Sequence, residues 1–354
     1  MKLFISRIHY KKDLNLYEKL VYFLLKFPGF FYNIVSGIRN KLYDKKILPS
    51  YGSGAFVVAV GNITTGGVGK TPFTIEAANY FLSRNKKVAV ISRGYGSKLS
   101  NNEPNLISDG SGSQFKASVA GDEPVMISEN CKGAYVVTCK SRIKAEKYLM
   151  KKFSPDVIIL DDAFQHRKIK RDLDIVLVDA KNKFGNGNVL PAGPLRENLN
   201  SIQRADKIVV VNKGYNTEKT LKFCDFLKKK FEKDIYLCKM VPEGIYDINT
   251  REKLPSGRRI MAFSAIGQPS GFYDFLKKDY KLIAVLEFED HHIYDRADVA
   301  KIIEYAQEEN IDSVVTTEKD AVKLIDIIKD IEMPINFYVL KLKSYMDIKD
   351  VFGE

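Results

Sequence analysis

Six short runs of this chain are almost purely apolar and rich in β-branched residues: AFVVAVG (55–61), KVAVISRG (87–94), AYVVTC (134–139), DVIILDD (156–162), DIVLVDA (174–180) and KIVVVNK (207–213). Each has strand length and lacks the apolar–polar alternation of a strand with one wet face, so each is expected to lie buried on both faces of a parallel sheet. Helical stretches between them supply the crossovers of a doubly wound α/β domain. Ligands in open sheets of this kind bind at the carboxyl ends of the strands, and the polar motifs of the chain fall at those ends.

A turn-rich passage, VPEGIYDINTREKLPSGRR (241–259), precedes a second set of strand-like runs: RIMAFSAIG, KLIAVLEFEDHH, SVVTTEKD and INFYVLKL. The expected division is therefore a main α/β domain over 46–245, a linker at about 242–258, and a smaller α/β domain over 246–354 with a cleft between the two. Residues 1–45 differ in character, being dense in Phe, Tyr and Leu from Leu14 to Leu42. Their longest uncharged run, Phe27 to Ile38, is shorter than the ~20 apolar residues needed to span a bilayer. Glu18 and Lys19 precede it and no small-residue cleavage site follows, which argues against a signal peptide. The segment reads as a membrane-docking helix or helix pair broken near Pro28-Gly29, lying in the interface with lysines toward anionic lipid; the competing reading is a soluble helical hairpin packed on the main domain.

The net charge of +12 suits an anionic partner without saying which. Four cysteines without C-x-x-C spacing exclude a zinc ribbon and a thioredoxin-like pair. No feature calls for nucleic acid or a protein partner.

The run VGNITTGGVGKTP (60–72) places a glycine-rich turn between a strand and a helix. This is the P-loop arrangement, in which backbone N–H groups and a helix N-terminus surround phosphate oxygens. Thr64, Thr65, Gly66, Gly67, Val68 and Gly69 form the expected cradle, with Lys70 reaching the β- and γ-phosphates and Thr71 available to Mg²⁺. Thr64 stands where the common pattern has its first glycine. DVIILDD ends in Asp161 and Asp162, either of which can face the P-loop threonine and hold Mg²⁺ directly or through water; Gln165 and His166 follow on the same edge. Partitioning ATPases of the ParA/MinD type share GGVGKT, but their signature lysine would fall at Thr65. A GTPase is disfavoured because Asn212-Lys213-Gly214-Tyr215 lacks the aspartate of N-K-x-D.

Further clusters punctuate the chain: SRGYG (92–96), GDEP (121–124), LPAGPLRE (190–197), EDHHIY (289–294) and TTEKDAVK (316–323). Together with VGNITTGGVGKTP and DDAFQH, and in this order, they resemble the tetraacyldisaccharide 4'-kinase (lipid A 4'-kinase) family, from the apolar N-terminus to about Leu324. The resemblance implies an ATP- and Mg²⁺-dependent kinase. It would move the γ-phosphate to the 4'-hydroxyl of a tetraacylated disaccharide 1-phosphate, a phosphoglycolipid, at the cytoplasmic face of the bacterial inner membrane. It further implies that Asp122 accepts the hydroxyl proton with a histidine of EDHHIY as its dyad partner, taken as His291 with His292 the alternative. That pair would meet only when the cleft closes. Arg93 and Arg196 are candidate phosphate clamps, and Glu123 and Gln165 candidate additions to the metal shell. TTEKDAVK carries no assigned chemistry beyond helix capping by Thr317 or Asp320.

Overall fold

The computed structural model describes residues 2–11, 13–100, 102–267, 269–290, 292–329 and 333–353. Its strands are β1 (Phe56–Gly61), β2 (Val88–Ser92), β3 (Asn105–Asp109), β4 (Tyr135–Thr138), β5 (Val157–Asp161), β6 (Leu173–Asp179), β7 (Lys207–Asn212), β8 (Ile235–Asp247), β9 (Arg259–Ser264), β10 (Lys281–Glu287), β11 (Ser313–Thr317) and β12 (Asn336–Tyr345). The helices are α1 (Lys2–Tyr10), α2 (Leu16–Asp44), α3 (Lys70–Leu82), α4 (Ala117–Ala120), α5 (Asp122–Asn130), α6 (Arg142–Lys152), α7 (Thr217–Phe231), α8 (Ser270–Asp279), α9 (Arg296–Glu308), α10 (Glu318–Ile328) and α11 (Ile348–Phe352).

All ten expected runs form strands, and two-sided burial explains their composition. Along β1, Val58 and Val60 pack into the core beneath α3 and α5, while Val57 and Ala59 point into the opposite core with Ala145 and Leu149 of α6. The strands form one sheet in the order β10-β9-β11-β12-β8-β7-β6-β1-β5-β2-β4-β3. Only β3 against β4 and β12 against β8 are antiparallel. The sheet is thus a mostly parallel, doubly wound α/β fold with a second α/β segment attached.

The attachment differs from a free linker. Val241 to Asp247, expected as part of the connection, is the second half of β8, whose first half pairs parallel with β7 and whose second half pairs antiparallel with β12. Pro242 is accommodated because the register shifts there, Lys341 facing Gly244 and Leu342 facing Pro242; an extra residue at a bulge removes the need for a ladder N–H.

The N-terminal segment is also corrected in detail: α2 runs unbroken for 29 residues through Pro28. Pro28 forgoes one helical hydrogen bond, and contacts along the helix compensate. Gly29 lies against Ala192, whose Cβ is 3.5 Å from where a side chain on Gly29 would begin. The Tyr22 hydroxyl accepts from Asn188 (2.9 Å), the Tyr32 hydroxyl donates to the Arg196 carbonyl (2.8 Å), and Arg39 donates to the Gln165 carbonyl (2.7 Å). By length and composition α2 could cross a membrane, its most apolar window having a mean hydropathy of 1.3. Hydrogen bonds to Asn188, Arg196 and Gln165 fasten one side of the helix to its own domain. Its other side exposes Leu16, Leu20, Phe23, Leu24, Phe27, Phe30, Val35 and Ile38.

Candidate active site

The central position of β1 builds the site. It lies between β5 and β6, with Val60 level with Asp161, so the loops after β1 and β5 emerge side by side at the carboxyl edge. Gly61 allows them to touch: a Cβ there would lie 2.6 Å from the Phe164 nitrogen. The next residue, Asn62, was missed by sequence reasoning. Fully buried, it donates to the Thr64 carbonyl (2.7 Å) and accepts from Lys70 Nζ (3.3 Å), and its own carbonyl accepts from Gln165 Nε2 (2.9 Å). One asparagine thus fixes the loop, its lysine and the DDAFQH turn.

The loop geometry accounts for Thr64. The left-handed residues are Gly66 (φ 104°) and Gly69 (φ 105°), whereas Thr64 forms a bridge with Leu195 and needs no glycine. Gly69 caps α3, whose first residues are Lys70 and Thr71. The Thr65 N–H donates to the Pro194 carbonyl (2.8 Å), and the Thr65 carbonyl accepts from the Tyr10 hydroxyl (2.9 Å). The LPAGPLRE segment and the N-terminal helices therefore brace the cradle from outside. A second lysine, Lys213 of the NKGY stretch, donates to the Gly67 carbonyl and lies 3.6 Å from Asp179; burial pulls its pKa down.

Lys70, Asp162 and Arg196 come together. Asp162 Oδ1 lies 2.7 Å from Arg196 Nη1 and 3.6 Å from Lys70 Nζ. Burial pushes the Asp162 carboxyl up, but Lys70 and Arg196 outweigh it and hold the pKa below the ordinary value. Arg196 is thus ion-paired in this state, with its backbone N–H donated to the Ile63 carbonyl (2.7 Å). Asp161 is buried, accepts from the Thr74 hydroxyl (3.0 Å), and has its pKa pushed up to about 7 by burial and by the neighbouring Glu123 and Asp162 charges. Arg142, also missed, is buried behind it and donates to the Asp161 carbonyl (3.2 Å). His166 is held neutral by burial and nearby arginines, its pKa lowered to about 4. Arg93 follows β2 and is exposed at the same edge.

Among the described residues no three His, Cys, Asp or Glu side chains form a ready-made metal cage. The Asp161, Asp162 and Glu123 carboxylates repel one another and leave negative charge for a cation to offset, in keeping with Mg²⁺ that is held largely by phosphate and water.

Asp122 begins α5 after Gly121, whose φ of 93° and closeness to the Tyr95 carbonyl, 2.8 Å from an added Cβ, leave room for glycine alone. SRGYG and GDEP are therefore one packed unit. Asp122 Oδ1 accepts the Glu123 N–H (2.9 Å), and Oδ2 faces Lys323 at 3.5 Å and Lys319 at 3.7 Å. Lys319 also lies 3.7 Å from Glu123; burial lowers its pKa, but Asp122, Glu123, Asp290 and Asp320 together raise it above the ordinary value. Both lysines belong to TTEKDAVK, for which only capping was expected. Thr317 does cap α10, accepting the Asp320 N–H (3.2 Å). The only sequence signal for the lysines was their spacing of one helical turn.

His291 lies outside the described residues. His292 is engaged elsewhere, with Nε2 2.7 Å from Asp298 in the cap of α9 and its ring stacked on Phe288. The two α/β segments are in contact: α10 sits on α5, and its half-buried Val322 packs against the α3 core.

A sequence profile described as tetraacyldisaccharide-1-P 4'-kinase matches residues 21–352. The chain belongs to this family. A tetraacyldisaccharide 4'-kinase of Halothermothrix orenii is 35% identical, the match covering 95% of this chain and 93% of the relative. One of Syntrophus aciditrophicus is 34% identical over 90% and 88% of the two chains. Among solved structures, the crystal structure of "apo" form LpxK from Aquifex aeolicus in complex with ATP superposes with a TM-score of 0.70 at 30% identity, covering 91% of this chain and 94% of that one. Family membership decides against the partitioning-ATPase reading.

Proposed function

We propose that the protein transfers the γ-phosphate of ATP to the 4'-hydroxyl of a tetraacyldisaccharide 1-phosphate, working at the cytoplasmic face of the bacterial inner membrane. The observation that carries this reading is the convergence of a P-loop with its lysine, the Asp161–Asp162 pair at the end of the adjacent strand, and the start of α5, where Asp122 is followed by Glu123, whose charge acts on Asp161. The glycine loop and Lys70 hold the triphosphate, and Arg196 and Arg93 are suited to bind phosphoryl oxygens bidentately. Asp122 accepts the proton of the 4'-hydroxyl as that oxygen bonds to the γ-phosphorus and the bond to the bridging oxygen breaks, leaving ADP. His291 is assigned as its dyad partner. Thr71, Asp161, Asp162, Glu123 and Gln165 would hold Mg²⁺, which when bound offsets charge on the phosphates. Gln165 would do so through Oε1, since Nε2 is given to Asn62.

A tetraacylated sugar stays in the bilayer, so the enzyme must come to it, and the exposed face of α2 supplies the contact. The division proposed is 1–45, 46–245 and 246–354; one hydrophobic cluster lies wholly within the last segment, while β8 is shared and Val351 packs into the core of the middle segment. The test is chromatography of the lipid after incubation with ATP labelled at the γ-position in mixed micelles. Label in the lipid for the wild type, and none for Lys70→Ala and Asp122→Asn, is expected. Label released only as inorganic phosphate overturns the assignment.

A further inference from the structure

Asp122 and the lysines that face it come from opposite parts of the chain, and their arrangement is more ordered than a surface ion pair. Asp122 is 6% exposed, and its two oxygens have separate environments. Oδ1 takes the N–H of the next residue at the start of α5, and Oδ2 looks toward α10. Lys323 approaches Oδ2 to 3.5 Å and is itself anchored from behind, donating to Asp320 Oδ1 at 3.2 Å. Asp320 has no exposure at all; its Oδ2 accepts the Ala265 N–H at the end of β9 (3.1 Å) and the Thr317 hydroxyl (2.7 Å). A relay therefore runs from the β9 backbone through Asp320 and Lys323 to Asp122. One helical turn earlier on the same face, Lys319 lies 3.7 Å from both Asp122 and Glu123. Val322 is half-buried and packs against the core beneath α3.

We propose that Lys319 and Lys323 are positioning residues for Asp122: the second α/β segment fixes the aim of the carboxylate that the first segment supplies. A buried carboxylate is costly unless its charge is offset, and the two ammonium groups facing Oδ2 at 3.5 and 3.7 Å offset it and draw it toward α10. Lys323 is the fixed member, with 7% of its side chain exposed. Lys319, at 23%, is the adjustable one, spanning the base and its acidic neighbour. The contacts described for both lysines are to carboxylates of α5 and α10, so the prediction separates turnover from nucleotide binding. The inference rests on the reading of Asp122 as the base.

The test compares Lys319→Met, Lys319→Arg, Lys323→Met, Lys323→Arg and Asp122→Asn in the full chain, by lipid phosphorylation with labelled ATP and by thermal melting. For Lys319→Met the expected result is a fall in kcat of about tenfold to a hundredfold, a share of what a positioned base contributes. KM for ATP should stay within about twofold, and Lys319→Arg should restore most of the turnover because charge is retained. Lys323→Met should show the same split; if it fails to fold, the Lys319 series decides. Wild-type kcat in Lys319→Met, or a loss that arginine does not rescue, overturns the proposal. The two readings fail separately. Wild-type turnover in Asp122→Asn sinks the base assignment, whereas an inactive Asp122→Asn beside fully active lysine variants sinks only the positioning role.

Discussion

Replacing Phe23 and Phe27 together by serine isolates the outer face of α2 from its inner one. Both rings are 71% exposed, and neither makes the polar contacts that fasten the helix through Tyr22, Tyr32 and Arg39. A phenylalanine presents roughly 200 Å², so each exposes about 140 Å², worth about 3.5 kcal/mol on full transfer at ~25 cal/mol per Å². A helix lying in the interface immerses about half of that, giving about 3–4 kcal/mol for the pair and a drop in partitioning of two to three orders of magnitude, since ~1.4 kcal/mol is tenfold. Sedimentation with vesicles containing anionic lipid measures the partitioning directly, and melting temperature verifies that the fold persists. Activity on the lipid should fall at low surface concentration and recover as vesicles are added, because the catalytic groups are untouched. A variant that sediments like the wild type would show that another surface docks to the membrane.

Gly121→Ala should leave the protein folded but lower kcat by at least about tenfold, because a positive φ costs a non-glycine residue about 1–2 kcal/mol and the new Cβ meets the Tyr95 carbonyl at 2.8 Å, displacing Asp122; wild-type kcat would refute this account of the turn. Alkylation at pH 8 followed by peptide mapping should modify Cys224 first, since it is half-buried while Cys131, Cys139 and Cys238 are buried; burial raises the Cys224 thiol as well, but pushes Cys131 and Cys238 to about 12 and 11, and equal labelling of Cys131, Cys224 and Cys238 in the folded protein would contradict those environments. Burial raises Asp174 to about 6 despite Arg171 at 2.6 Å. A folded-state pKa above the unfolded value stabilises the fold at pH below the unfolded pKa, and this contribution disappears as pH climbs through about 6. The urea midpoint of the wild type relative to Asp174→Asn should accordingly fall between pH 4 and 6 and then level off; a relative rise would reverse the assignment.

The main sheet was legible because burial on both faces leaves an uninterrupted apolar mark on each strand. β3 left none: its Asn105 and Asp109 ends are polar, as an edge strand permits. The second half of β8 was hidden by Pro242 and Gly244, residues that argue for a turn until a partner strand and a bulge accommodate them. Pro28 misled in the same way, since a tertiary seat for α2 outweighs one missing helical hydrogen bond. At the site, the phosphate loop was readable because it is local: strand, glycines, lysine and helix follow one another in sequence. Asn62, Arg142 and the half-buried Lys213 were not, because a polar side chain that props up a loop has no periodicity to betray it, only its final partners.

The same contrast bears on how the two α/β segments can move. A swing of the second segment as a rigid body about a linker would have to bend β8, which is hydrogen-bonded to β7 at one end and β12 at the other. It would also have to unseat Val322 from the α3 core, part Lys323 from Asp122, and free the chain's end, where Val351 is buried and Phe352 stacks on Tyr80 of α3. Each of these contacts is apolar burial or a buried charge pair, the most costly kinds to break. Phe288, His292 and Tyr294 form a ring cluster beside the cap of α9. The cheaper adjustment on loading is therefore local, at the Arg196–Asp162 ion pair, with α10 staying in place to hold the base in aim.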